Sequence, residues 1–257
     1  MEIAKWWPWY RKIIELFRFD ESKDRQATYC LENLLRHSDV DLASVRKEIS
    51  NRTILVFGAG PSLLRNIRQA KHANIVKSSI VLCADGATTA LLHEELNPDF
   101  IITDLDGKVD DLLTAHEAGS VVVAHSHGDN LDKIQRYVPM FKGNIIGSTQ
   151  IEPTAHVFNF GGFTDGDRCA FFAEEFGAKR IILAGMDFGG VIGKYSKALP
   201  LSKKAFEAKM KKFQIAQELL TWLSSWSNSK IVNSTGKQKV IPGIPNVTFA
   251  DLARNRN

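Results

Sequence analysis

From residue 53 onward the chain carries seven short β-rich apolar runs, TILVFG, SIVLCA, DFIIT, SVVVAH, NIIGS, HVFNF and RIILAG, most of them separated by stretches long enough for a helix. A strand that is apolar at nearly every position, rather than at alternate ones, is covered on both faces, which is the environment of a parallel sheet between two helical layers. The expectation is an α/β chain with a Rossmann-like, doubly wound, mostly parallel sheet. Residues 1–50 show no convincing strand. Their apolar positions Ile13, Ile14, Phe17, Tyr29, Leu31, Leu34, Leu35, Leu42 and Val45 recur with roughly helical spacing, which predicts an N-terminal helical segment ahead of an α/β domain over 51–257. Residues 202–227 set a lysine-rich face against Phe206, Met210, Phe213, Ala216, Leu220 and Leu223, as a long amphipathic surface helix does.

Composition narrows the partners. A net charge of +4 over 257 residues, without a dense basic run interleaved with aromatics, argues against nucleic acid. The mild positive excess suits collection of an anionic small molecule. Cys30, Cys83 and Cys169 are far apart and lack CxxC spacing, so neither a disulfide framework nor a zinc site is expected, and a reducing cytoplasm fits. No apolar run approaches the ~18 residues of a membrane span, so no membrane partner is expected. The aromatic opening Trp6, Trp7, Trp9 and Tyr10 reads as packing against a neighbouring domain or subunit rather than as a substrate stack. A homodimer is one assembly this allows.

In open α/β sheets ligands sit outside the carboxyl ends of the strands. After the first run comes GAGPSL, where Gly58 and Gly60 permit a tight turn and a close approach to a ligand at a helix N-terminus. A plain strand-to-helix turn explains them equally. ADGA brings Asp85 and Gly86, readable as a helix cap or as a nucleotide contact. TDLDG brings Asp104 and Asp106, two hard carboxylates one residue apart just past a strand, a pattern that suits Mg²⁺ bridging phosphate oxygens, with turn chemistry as the alternative. AHSHGDN delivers His125, His127 and Asp129 to the same rim. Zinc is the weaker reading there, because the surrounding carboxylates favour Mg²⁺.

GGFTDGDR follows HVFNF. Thr164 with Asp167 fits a capping box, while Asp165 and Arg168 beside the double glycine point to substrate recognition. An aspartate here would read the amino and ring N–H edge of a pterin or pyrimidine. LAGMDFGGVIGKYS places Asp187 directly past a strand and Lys194 in a glycine-rich stretch, readable as a loop covering phosphates or as a hairpin with a solvated lysine.

Together ADGA, NPDFIITDLDG and AHSHGDN resemble the signature of the thiamin pyrophosphokinase-like fold. With GAGPSL, GGFTDGDR and LAGMDFGG added, the chain looks like the archaeal 6-hydroxymethyl-7,8-dihydropterin pyrophosphokinases over about residues 53–195. The resemblance implies that ATP donates its β,γ-diphosphate to the pterin hydroxymethyl group and leaves as AMP, on a route to folate- or methanopterin-type cofactors. The partners implied are ATP and a small heterocyclic alcohol, with Mg²⁺ as cofactor. Asp104 and Asp106 match the family's acidic metal segment and Asp129 its third acidic position; Asp129 or His127 would take the hydroxyl proton or complete the metal shell. TDLDG and HGDN depart from the GDxDS and Thr-Asp elements of the thiamin enzymes, which argues against thiamin as acceptor. The first-strand and GMDF-type motifs also occur in flagellin-associated glycosyltransferase-like proteins. Thiamin diphosphorylation and a non-catalytic nucleotide-binding regulator are the alternatives.

Overall fold

Each apolar run forms a strand, and in the computed structural model, which describes residues 1–36, 38, 41–196, 200–236 and 240–254, an eighth strand joins them in one sheet. Three helices come first, α1 (Ile3–Phe17), α2 (Glu21–Leu35) and α3 (Leu42–Ile49). The alternating part runs β1 (Thr53–Phe57), α4 (Leu63–His72), β2 (Ile80–Ala84), α5 (Ala87–His93), β3 (Phe100–Thr103), α6 (Val109–Glu117), β4 (Val121–Ser126), α7 (Leu131–Tyr137) and β5 (Ile145–Thr149). It continues with β6 (Val157–Phe158), α8 (Asp165–Glu175), β7 (Arg180–Ala184), α9 (Lys203–Trp226), β8 (Lys230–Asn233) and α10 (Phe249–Arg254).

The strand order is β6-β5-β4-β3-β2-β1-β7-β8, and every neighbouring pair is parallel. The chain builds outward from β1 to β6 and then returns to add β7 on the other side of β1. The order therefore reverses between β1 and β7, and clefts form at carboxyl ends beside such a reversal.

Successive strand residues point to opposite faces, and both faces are buried: Ile54 and Val56 pack with α1, α3, α8 and α9, whereas Leu55 and Phe57 pack with α2, α4, α5 and α10. This is why the strands read as continuous apolar runs. Burying each large side chain stabilises by about 1.5–3 kcal/mol. The eighth strand, KIVN, is too short to stand out in sequence. Only two residues of HVFNF pair with β5 at the sheet edge, because Asn159 instead donates to the Ile151 carbonyl at 2.8 Å and Gly161 turns away at φ 86°.

The N-terminal helices pack on the sheet rather than beyond it. Trp6 and Tyr10 are buried in the same cluster as Val123 and Ile146, and α1 continues through Pro8. The aromatic opening meets its own chain: the Trp6 indole N–H donates to the Gln150 carbonyl at 2.7 Å, and the Trp9 and Trp222 rings lie 5.6 Å apart. Thr28 on α2 hydrogen-bonds the hydroxyls of Ser126 and Thr149 at the ends of β4 and β5. The expected long helix is α9; its buried residues begin at Ile215, and its first half extends over the carboxyl edge of the sheet. Among the described residues no helix is long and apolar enough to cross a membrane.

Candidate active site

A cleft of about 440 Å³ opens at that carboxyl edge, and at its centre one oxygen from each of Asp85, Asp104 and Asp106 lies within 4.8 Å of the others. Strand alternation does not aim the pair Asp104 and Asp106, because β3 has already ended at Thr103. The aiming comes from Leu105, buried and left-handed at φ 63°. A leucine in that region costs about 1–2 kcal/mol, which its burial and hydrogen bond offset: Leu105 N–H donates to Thr103 Oγ1 at 2.8 Å.

Asp85 is the hub of this turn rather than a cap on α5. Its Oδ2 accepts from Thr103 Oγ1 at 2.8 Å, Asp106 N at 3.2 Å and Gly107 N at 3.0 Å. Its Oδ1 is buried with no partner. An orphaned buried carboxylate oxygen inside a ring of three carboxylates fits a hard divalent cation.

His127 supports the ring from just past the end of β4. Its Nδ1 accepts from Asp129 N at 3.2 Å, which leaves Nε2 to carry the proton and donate to Asp104 Oδ2 at 3.4 Å. Asp129 itself lines the cleft but is exposed and stands apart from the cluster. Asp129, expected as the third metal carboxylate, stands outside this group, and the third place beside Asp104 and Asp106 is taken by Asp85, which the turn folds back onto. His125, expected at the same rim, is buried, with Nδ1 3.0 Å from Ser148 Oγ; burial pushes its imidazole well below the usual range, so it stays neutral.

Eight aspartates and five lysines or arginines line the cleft among the described residues. Burial, then Asp104 and Asp106, push the Asp85 carboxyl up to about 7. Burial, then Asp104 and Asp85, hold the Asp165 carboxyl well above its ordinary value. Burial would also raise Asp104, but the His127 contact outweighs it and keeps that carboxyl low. The crowding of negative charge is relieved by a proton on Asp85 or Asp165, or by a bound cation.

The GGFTDGDR segment divides. Thr164 and Asp167 form the capping box of α8: Asp167 Oδ1 accepts from Thr164 N at 2.8 Å and Oδ2 from Phe163 N at 2.6 Å. Asp167 is fully buried and does not line the cleft, so its expected substrate contact gives way to capping. Thr164, Asp165 and Arg168 do line it. Arg168 is 6% exposed; Nη2 donates to Gln150 Oε1 at 3.3 Å and to the Phe163 carbonyl at 3.2 Å, while Nε and Nη1 have no partner among the described residues.

The glycines expected to admit a ligand, Gly58, Gly60 and Gly86, all line the cleft and are also held in close internal contacts. A Cβ on Gly58 would lie 2.8 Å from the Gly185 carbonyl oxygen, one on Gly60 2.2 Å from Asp187 Oδ2, and one on Gly86 1.8 Å from the Tyr195 carbonyl oxygen. The anion at the start of α4 is the protein's own: Asp187 Oδ2 accepts from Ser62 N at 3.0 Å and Ser62 Oγ at 2.6 Å. Asp187 lines the cleft, and its Oδ1 is buried with no partner. Lys194 is not brought in. It is exposed, lies outside the lining residues, and sits with Nζ 4.8 Å from the Tyr195 ring centre.

One wall of the cleft comes from residues outside the strand-end motifs. Arg18, Lys23 and Asp24 come from the α1–α2 corner, and Lys209 and Lys212 from α9. The lysine-rich pattern of α9 was a visible signal for the last two. For Asp24 there was none, since its role depends on partners more than 100 positions away.

Residues 29–192 match a family model described as 6-hydroxymethylpterin diphosphokinase MptE-like. The chain is 43% identical over 226 residues to a 6-hydroxymethyl-7,8-dihydropterin pyrophosphokinase from Methanothermobacter thermautotrophicus, covering 87% of this chain and 95% of that one. It is 42% identical over 238 residues to a protein of the same name from Pyrococcus furiosus, covering 90% and 98%. A third, from Methanocaldococcus jannaschii, is 40% identical, covering 87% and 96%. Among solved structures it resembles the MAf glycosyltransferase from Magnetospirillum magneticum AMB-1, with TM-score 0.51 and 12% identity over 81% of this chain. The chain spans only 34% of that protein, and the likeness concerns the fold alone.

Proposed function

The chain belongs to the MptE-like family of 6-hydroxymethylpterin diphosphokinases, and from that premise we propose that it transfers the β,γ-diphosphate of ATP to the hydroxymethyl group of 6-hydroxymethyl-7,8-dihydropterin. The products are the pterin diphosphate and AMP, and the step serves a folate- or methanopterin-type pathway in the cytoplasm. The observation that carries the reading is the ring of Asp85, Asp104 and Asp106 with the buried, partnerless Asp85 Oδ1 at the carboxyl edge of the sheet.

Asp85, Asp104 and Asp106 would hold Mg²⁺, which when bound neutralises phosphate charge. His127 keeps Asp104 oriented. The pterin hydroxyl oxygen attacks the β-phosphorus; the bond to the oxygen bridging the α- and β-phosphates breaks, and AMP departs with that electron pair. Asp129, exposed on the cleft wall, accepts the hydroxyl proton. The free Nε and Nη1 of Arg168 bind the phosphoryl oxygens in transit, as fixed donors in a water-poor site. Asp165 and the partnerless Asp187 Oδ1 are acceptors for the pterin's amino and ring N–H groups. Most of the rate enhancement then comes from positioning and electrostatics.

The test supplies the purified chain with ATP and Mg²⁺, with and without the pterin, and weighs the products. Pterin-dependent AMP together with pterin diphosphate is expected. AMP release indifferent to the pterin, or equal turnover with thiamin, would overturn the reading.

A further inference from the structure

Tyr10 and Asp24 lie on α1 and α2, ahead of residue 29, where the family match begins. Asp24 is nevertheless 2% exposed and lines the cleft. Its Oδ1 accepts from Gly128 N at 2.7 Å, and its Oδ2 from Tyr10 OH at 2.9 Å and Gln150 Nε2 at 2.9 Å. Among the described residues no cation touches this buried carboxylate, so three fixed neutral donors carry the cost of its desolvation.

Two of those donors lead to the reacting centre. Gly128 lies between His127, which orients Asp104, and Asp129 on the cleft wall. Gln150 commits its NH₂ to Asp24, so its Oε1 must face Arg168 Nη2. Flipping that amide would set NH₂ against guanidinium and oxygen against carboxylate. The charge on Asp24 therefore selects the one amide orientation that can hold Arg168. Only one other contact, the Phe163 carbonyl, fixes the guanidinium among the described residues.

We infer that Asp24 is a positioning residue for this site: through Gln150 and the Gly128 amide it sets the Arg168 fork and the 127–129 segment, making the N-terminal helices part of the reacting centre. The inference rests on the reading above only for the identity of the anion that Arg168 meets. Replacing Asp24 by Asn removes the charge that selects the Gln150 orientation and turns an NH₂ toward at least one existing donor. Arg168 then loses its register, and misplacements near 1 Å cost up to about 100-fold in rate.

A double-mutant cycle between Asp24→Asn and Arg168→Ala separates positioning from general support. It is read on pterin-dependent AMP formation and, without any acceptor, on calorimetric binding of inorganic triphosphate with Mg²⁺. We expect Asp24→Asn to lower kcat about 30-fold, with the pterin KM changed less than about threefold, and to weaken triphosphate binding about tenfold. The double variant should be no worse than Arg168→Ala alone, within about twofold. Should Arg168→Ala not fold, Arg168→Lys takes its place, keeping the charge and losing the fork. Losses that multiply, or that simply follow the folded fraction in thermal melts, would make Asp24 a structural residue only. If the chain proves to have no pterin-dependent turnover, the binding arm still decides, and a wild-type chain that does not bind magnesium triphosphate overturns the inference.

Discussion

Gly107 packs so closely against Asp85 that a Cβ on it would lie 2.0 Å from Asp85 Oδ1, the buried carboxylate oxygen that has no partner in the protein. The glycine that closes the TDLDG turn is therefore what lets Asp85 fold back under Asp104 and Asp106. Gly107→Ala must displace that carboxylate. We expect it to weaken Mg²⁺ activation at least tenfold and to destabilise the fold by about 1–3 kcal/mol, the usual cost of overpacking. A magnesium titration of activity alongside a thermal melt checks both.

The carboxylates should separate by role. Asp106→Asn removes a ligand of the proposed metal ring and should lower Mg-dependent AMP formation by about 10²–10³-fold, as loss of one strong electrostatic contact does. Asp129→Asn should instead lower kcat while leaving the Mg²⁺ concentration for half-activation within about threefold, since Asp129 stands outside the ring. Equal shifts in Mg²⁺ requirement for the two variants would remove the distinction.

Stability should depend on pH through the crowded carboxylates. Burial and neighbouring aspartates push Asp85 up to about 7 and Asp165 well above its ordinary value. Their folded-state values exceed an unfolded value near 4, so the unfolded chain binds fewer protons between these limits. The contribution of Asp85 to stability is then full below about pH 4 and is lost as pH rises through about 7, and Asp165 acts in the same direction. Asp104 is shifted the other way, and its window lies below the usual carboxylate range. In metal-free buffer the melting temperature should fall between pH 5 and pH 8. Mg²⁺ should raise it more at pH 8 than at pH 5. A flat profile with no metal dependence would contradict the crowding.

The lysines offer a sharp contrast. Lys212 lines the cleft with Nζ 5.7 Å from the Phe163 ring centre, whereas Lys194 is exposed outside it. Lys212→Ala should raise the KM for ATP about five- to tenfold, and Lys194→Ala should change it less than about twofold. Steady-state kinetics at fixed pterin decides, and the reverse order would return Lys194 to the site.

Asp187 should act chiefly on stability when removed and on substrate when altered. Asp187→Ala strands Ser62 N at the start of α4 and should cost about 1–3 kcal/mol. Asp187→Asn can still accept from Ser62 but turns a donor toward the cleft in place of the orphan Oδ1. Its expected signature is a raised pterin KM with a nearly unchanged melting temperature.

What the sequence determined by itself is whatever local chemistry repeats: the interiors of β1 through β4 and β7 are continuous apolar runs because both faces are buried, and Asp85, Asp104, Asp129 and Asp187 follow closely on the ends of β2, β3, β4 and β7. The family signature is local in the same sense. Tertiary structure decided which of those acids meet. Asp85 joins Asp104 and Asp106 because a left-handed Leu105 and a bare Gly107 let the turn fold back, and Asp129 stays on the wall. It also placed Gly58 and Gly60 both on the cleft wall and against Gly185 and Asp187, a double role that a glycine's letter does not reveal. Asp24 was illegible for a plainer reason. Its partners Gly128 and Gln150 are 104 and 126 positions away, and no local pattern encodes a hydrogen bond that exists only once the N-terminal helices have closed on the sheet.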